Sequence, residues 1–210
     1  MRNILLAATA FGLLAGGAQA VPTLTSTATS TIAGLSTGCN VSTPSGTIST
    51  SCSGGGFASV VVGASGAPTL PPGEISALTL TVTDTAAPVT LNVDVASSGF
   101  ASTPGPFEAL FTVNNLIGAD VGPFTLSATA PDGTVASHTF ASAGTFDTAQ
   151  FGFGSGTSSD AHFTLAFSAA GQSLDATIEL VNNVPEPSSI ALMGVGLLGL
   201  GFVAKRNRAA

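Results

Sequence analysis

Between residues 21 and 184 the side chains able to move protons at ordinary pH are two histidines, His138 and His162, and ten carboxylates: Glu74, Asp84, Asp94, Glu108, Asp120, Asp132, Asp147, Asp160, Asp175 and Glu179. A histidine beside an aspartate and one of the many serines would make a hydrolase triad, and two suitably spaced carboxylates would make a glycosidase. The patterning favours neither. No spacing singles out a carboxylate pair. In Asp160-Ala161-His162 the alternation that buries Phe163 and Leu165 points His162 outward, while His138 shares a face with Ala136 and Phe140. Both read as solvent-facing or core-edge residues, so no catalytic residue is assigned and the chain is expected not to be an enzyme.

The carboxylates mostly fall ten to fifteen residues apart, about one per strand or turn, where they would serve solubility and edge protection. A calcium loop would group them at alternate positions, and none does. No metal ligand is therefore assigned, and calcium, held by carboxylates converging at one end of a fold, is the one cofactor left open. The glycines of "FGFGSGTSSD" resemble a phosphate loop only superficially. No Lys follows and no helix opens there, so the stretch reads as a loop or bulge.

Charge excludes whole classes of partner. The chain has four Lys and Arg in all, Arg2, Lys205, Arg206 and Arg208, so residues 3–204 hold none. Such a body cannot neutralise phosphates, which rules against nucleic acid and anionic lipid. It cannot form a Lys or Arg salt bridge either, and must rely on apolar burial, backbone hydrogen bonds and covalent staples. The cysteines Cys39 and Cys52 are the only two, and in an exported chain they read as a disulfide.

The elements that must position these groups are strands. Leu78, Leu80 and Val82 alternate with threonines, and Val89, Leu91, Val93 and Val95 alternate with Thr90, Asn92 and Asp94. The same period of two recurs in Phe107/Ala109/Phe111/Val113, Phe124/Leu126/Ala128, Phe163/Leu165/Phe167 and Leu174/Ala176/Ile178/Leu180, with weaker runs at 57–62, 135–140 and 146–153. Turn signals such as "APTLPPGE", "SSGFASTPGP" and "APDG" separate them, and no helical period is sustained. The predicted class is all-β, an antiparallel sandwich or jelly roll over residues 57–183. Residues 21–56 form a Ser/Thr/Gly-rich segment of weak strands or loops around the disulfide. With 13 Phe and 44% hydrophobic residues, the chain has enough apolar surface for a core despite its low charge.

Both ends differ in kind from this body. "MRNILLAATAFGLLAGGAQA" has a basic start, an apolar stretch and the small-x-small triplet Ala18-Gln19-Ala20, the layout of a signal peptide spanning residues 1–20 and cleaved before Val21. At the other end, Val184, Pro185, Glu186 and Pro187 precede an uncharged, mostly apolar run of 17 residues, Ser188–Ala204, and then the basic cluster Lys205, Arg206 and Arg208. That run is at the short limit for a transmembrane helix, and the charges behind it hold the C-terminus in the cytoplasm with the body outside. The two prolines keep residues 184–187 extended and accessible.

The order of Pro185-Glu186-Pro187, apolar run and basic cluster over residues 184–210 resembles the PEP-CTERM sorting signal. The resemblance covers only this tail, with Asn207 interrupting the basic cluster. It implies transient insertion in the inner membrane and recognition by an exosortase, a membrane-embedded cysteine transpeptidase. It further implies removal of the apolar segment from a protein bound for the surface or extracellular matrix of an exopolysaccharide-producing bacterium. A structural or adhesive role follows from that setting, with a polysaccharide- or calcium-binding module as the alternative and a secreted hydrolase less favoured. Against sugar stacking stands the absence of Tyr and Trp.

Overall fold

A computed structural model describes residues 20–118 and 123–183, the side chains of 77–79 excepted. Asp120, Ala18 and the tail from Val184 onward therefore lie outside the described residues. Among the described residues twelve strands form: β1 (Thr23–Ser30), β2 (Val41–Thr43), β3 (Thr47–Gly54), β4 (Phe57–Ser65), β5 (Ile75–Asp84), β6 (Val89–Pro104), β7 (Phe107–Ile117), β8 (Phe124–Thr129), β9 (Val135–Phe140), β10 (Gly144–Asp147), β11 (Ser155–Phe167) and β12 (Ser173–Asn182). The 3-10 turn Thr37–Cys39 separates β1 from β2.

The strands make two six-stranded sheets, in the orders β2-β1-β6-β11-β8-β9 and β10-β7-β12-β5-β4-β3, here called sheets A and B. Every pairing is antiparallel. From β5 onward the chain alternates between sheets in a jelly-roll path, broken only by the β8–β9 hairpin within sheet A, with β5-β12-β7-β10 facing β6-β11-β8-β9. The remaining strands widen each sheet at the same side, β1 and β2 beside β6, and β3 and β4 beside β5. Of the weak strands or loops expected over residues 21–56, the structure forms β1, β2 and β3, which join both sheets and share the sandwich core.

The alternation does what the sequence requires of it. Leu91, Val93, Val95, Phe163, Leu165, Phe124 and Leu126 are buried on the inner face of sheet A, and Phe107, Ala109, Phe111, Leu174, Ala176, Ile178 and Leu180 on that of sheet B. Between them Phe167 packs edge-on against Phe57, with ring centroids 5.8 Å apart, and tilted against Phe124. Burying such a large apolar side chain stabilises the fold by about 1.5–3 kcal/mol. In β1 the inner phase runs Leu24, Ser26, Ala28, and Ser26 lies near the directly paired Ser97 and Ser159 of β6 and β11. All three hydroxyls are buried, a small polar island in an otherwise apolar layer.

The Gly-rich stretch expected to be a loop or bulge is both. Residues 151–154 form a loop that bridges Phe151 to Phe107, and a register shift lies between Gly156 and Ser158 of β11. Its glycines are needed for close approach. A methyl on Gly156 would overlap the Pro131 carbonyl oxygen, and one on Gly154 would come within 2.7 Å of the Asp132 Cβ.

Candidate functional site

Sheet A presents outward the second phase of its strands, rich in Thr, Ser, Asn and Asp. At its centre His162 of β11 lies directly across from Asp94 of β6. Its Nδ1 donates to Asp94 Oδ1 in a short contact, the one ion pair among the described residues. On the other side of the ring, Nε2 is 2.9 Å from Thr164 Oγ1, and Thr164 donates to Asn92 Oδ1 at 3.1 Å. A hydroxyl has one proton. When Thr164 gives it to Asn92, His162 must donate from Nε2 as well as Nδ1, so the complete network belongs to the imidazolium. The Asp94 hydrogen bond, helped by the charges of Asp94 and Asp160, accordingly raises the His162 pKa above its ordinary 6.5, against an opposing effect of burial. Nearby, Thr129 donates to Asp160 Oδ1 at 2.8 Å.

His162 therefore faces outward as the alternation implies, held by a carboxylate and a threonine. No serine hydroxyl joins it in these contacts. His138 sits at the edge where the sheets meet. Its ring lies parallel on Phe146 of β10, centroids 3.8 Å apart and planes within 9°, and edge-on to Phe140 at 4.7 Å. β9 ends sheet A and β10 ends sheet B. The His138 stack thus closes the gap between their edges, and this imidazole serves packing across the seam.

The carboxylates are dispersed, as their spacing suggests, and no three His, Cys, Asp or Glu side chains gather into a metal-holding group among the described residues. Three do local work. Asp132 accepts the backbone N–H groups of Thr134 at 2.9 Å and Gly154 at 2.8 Å, bonds that lower its pKa and tie the 131–134 turn to the Gly-rich loop. Glu74 is half-buried, which raises its pKa, partly offset by a hydrogen bond from the Asn182 amide. Asp84 departs from the expected role in solubility or edge protection: it is 1% exposed and accepts the Gln172 amide at 2.6 Å. The phase of Leu80, Val82 and Asp84 was the signal for this, since it points all three inward. Asp175, by contrast, stays on the outer phase of sheet B and accepts from Thr81.

Cys39, in the 3-10 turn, and Cys52, in β3, form the expected disulfide, with Cα atoms 5.4 Å apart. The bridge connects the two sheets along the side where β2 and β3 are the edges. A shallow cavity of about 360 Å³ lies between the ends of β1, β6 and β11, lined by Thr31, Pro88, Val89, Thr90, Ala166, Phe167 and Ser168. Its lining is mostly apolar and carries no acid or base. Of the segments assigned from sequence to sorting, only Ala20 is described, exposed just before β1.

Comparison with known proteins places that tail. Residues 183–207 match the PEP-CTERM protein-sorting motif. The chain thus carries the mark of an exported, exosortase-sorted protein directed to the cell surface. The match begins one residue after β12 ends, so the sorting segment follows the sandwich without a spacer. No curated protein matches the chain. A solved structure of TmCBM61 in complex with β-1,4-galactotriose is similar over 57% of this chain and 87% of its own, with 9% sequence identity and a TM-score of 0.35. A likeness of that size says nothing about a ligand for this chain.

Proposed function

We propose that this protein is exported behind a cleaved signal peptide, processed by an exosortase, and retained at the cell surface or in an exopolysaccharide-rich matrix as a non-enzymatic structural or adhesive domain. One observation carries the reading: the sorting motif abuts the last strand of a complete, disulfide-stapled jelly roll, so cleavage near Pro187 frees a finished domain with almost no residual tail. The disulfide accords with an oxidising destination. Intact-mass spectrometry of the protein recovered from its host's surface fraction tests this. Loss of residues 1–20 and of the segment after Pro187 is the expected result, and surplus mass would report a glycan or transferred anchor. A mature chain retaining Ser188–Ala210 would refute processing.

A second reading, polysaccharide binding with or without calcium, draws on the outer face of sheet A, where Asn92, Asp94, Asp160, His162 and Thr164 adjoin across two strands. Side chains of this kind hydrogen-bond sugar hydroxyls without needing a cation. Retention on a polysaccharide column that Asp94→Ala abolishes would favour this reading, and reversal by chelator would add the metal. A hydrolytic activity lost on His138→Ala or His162→Ala would instead favour the enzyme.

A further inference from the structure

Both ends of the domain emerge together. β12 ends at Asn182 beside the start of β7, where Asn182 Nδ2 donates to the Pro104 carbonyl and the Asn183 amide to that of Pro106. β6 ends at Pro104 on the same side, opposite the start of β11, and β1 begins there too, paired with Ser98. Val21 lies against Gly99 at this end.

The exposed apolar side chains follow the same geography. Among the described residues six large hydrophobics are exposed; Val21 before β1, Val135 opening β9, Phe153 before β11 and Val181 in β12 lie within two residues of a strand terminus at this end, while Phe146, beside Asp147 near the same end, is taken up by the His138 stack. Phe153 is the most exposed at 68%, on the loop that Asp132 and Gly105 pin in place. A phenylalanine held rigidly in water gains from apolar contact without further ordering cost.

Chain length then fixes what this end meets. From Asn183 to Ser188, where the apolar run begins, five residues span at most about 17 Å. Whenever the run occupies a bilayer, the exit end of the sandwich must lie within that reach of the hydrocarbon. We propose that this end, through Phe153, Val21, Val135 and Val181, is a lipid-contact face on which the uncleaved precursor rests against the bilayer holding its own tail. The inference rests on the sorting reading above. It also fixes a charge preference. Glu74, Glu108, Asp132, Asp147 and Glu179 cluster toward this end, and the body has no Lys or Arg to oppose them, so contact is with zwitterionic lipid and weakens on an anionic surface.

The chain has no Trp, so one introduced residue reports alone. The full-length chain carrying Phe153→Trp is reconstituted in phosphatidylcholine vesicles containing shallow brominated lipid, beside a second full-length chain carrying Ile117→Trp at the exposed far end of β7. The expected result is a blue-shifted emission quenched by the brominated lipid at position 153, no quenching at 117, and partial loss of the effect when phosphatidylglycerol is added. A chain that floats with the vesicles yet shows equal quenching, or none, at both positions overturns the contact face alone. A chain that does not float with vesicles overturns the membrane-inserted tail and the contact face together.

Discussion

Replacing both bridged cysteines, as Cys39→Ala/Cys52→Ala, should destabilise the fold by about 3 kcal/mol. The bridge closes a loop of 13 residues, which by chain entropy restrains the unfolded state by about 3 kcal/mol. Both sulfurs are buried, Cys39 fully and Cys52 to within 6%, so the alanines also give up packing between the 3-10 turn and β3. For a domain of this size each kcal/mol moves the melting point by about 2–4 °C, so the loss is about 6–12 °C. With neither Trp nor Tyr in the chain, far-UV circular dichroism on heating and in urea is the natural assay. The urea slope should rise slightly as the unfolded chain expands. A double variant melting within about 1 °C of the oxidised protein would refute the argument. It would mean that the turn and β3 are held together by their backbone bonds alone, such as that from Ser36 to Ser53.

Asp94→Asn should lower the His162 pKa toward 6.5, read by NMR titration of the ring, because its largest support is the Asp94 hydrogen bond; an unchanged value would refute the network. With a folded pKa above the unfolded one, His162 contributes stability that is full below about pH 6.5 and lost as pH rises through the folded value, so that increment should vanish in Asp94→Asn melts between pH 5.5 and 8.5. Asp132 has the opposite sign. Its lowered pKa gives stability above about pH 3.8 that is lost as pH falls through the folded value, and Asp132→Ala should flatten that part of the acid limb. Gly156→Ala should destabilise sharply through the Pro131 carbonyl, whereas Gly144→Ala, with open space around it, should melt as wild type.

The strands with large apolar residues at every second position were legible because nothing else buries Phe163, Leu165 and Phe167 on one face. β1 was only faintly so. Its inner phase is Leu24, Ser26 and Ala28, and two of those are small enough to sit in loops; β6 alongside is what makes the segment a strand. The alternation through Leu78 falls where side chains are not described, and the opposing strand shifts register nearby, between Ala176 and Ile178. Strand order could not be read from periodicity, since the partner of each strand is set by crossovers that leave no local pattern. The outward aim of His162 was available from its phase. Its partner was not, because Asp94 is 68 residues away. The stacking of His138 on Phe146 depends on two edges meeting, and only the closed sandwich supplies that. The sorting tail needed no fold at all, being a linear signal of composition and charge.

The place of β12 has a mechanical consequence. It is the last strand before the tail and is bound on both sides, by ten residue pairs to β7 and seven to β5. A domain anchored through its C-terminus takes any pull directly on this strand, along its axis. An edge strand loaded that way would be held by one ladder only. Because β12 is flanked, a load gripped at the far end of the sandwich must shear both ladders at once, and it is the slow rate of that rupture that decides how long the anchored domain holds.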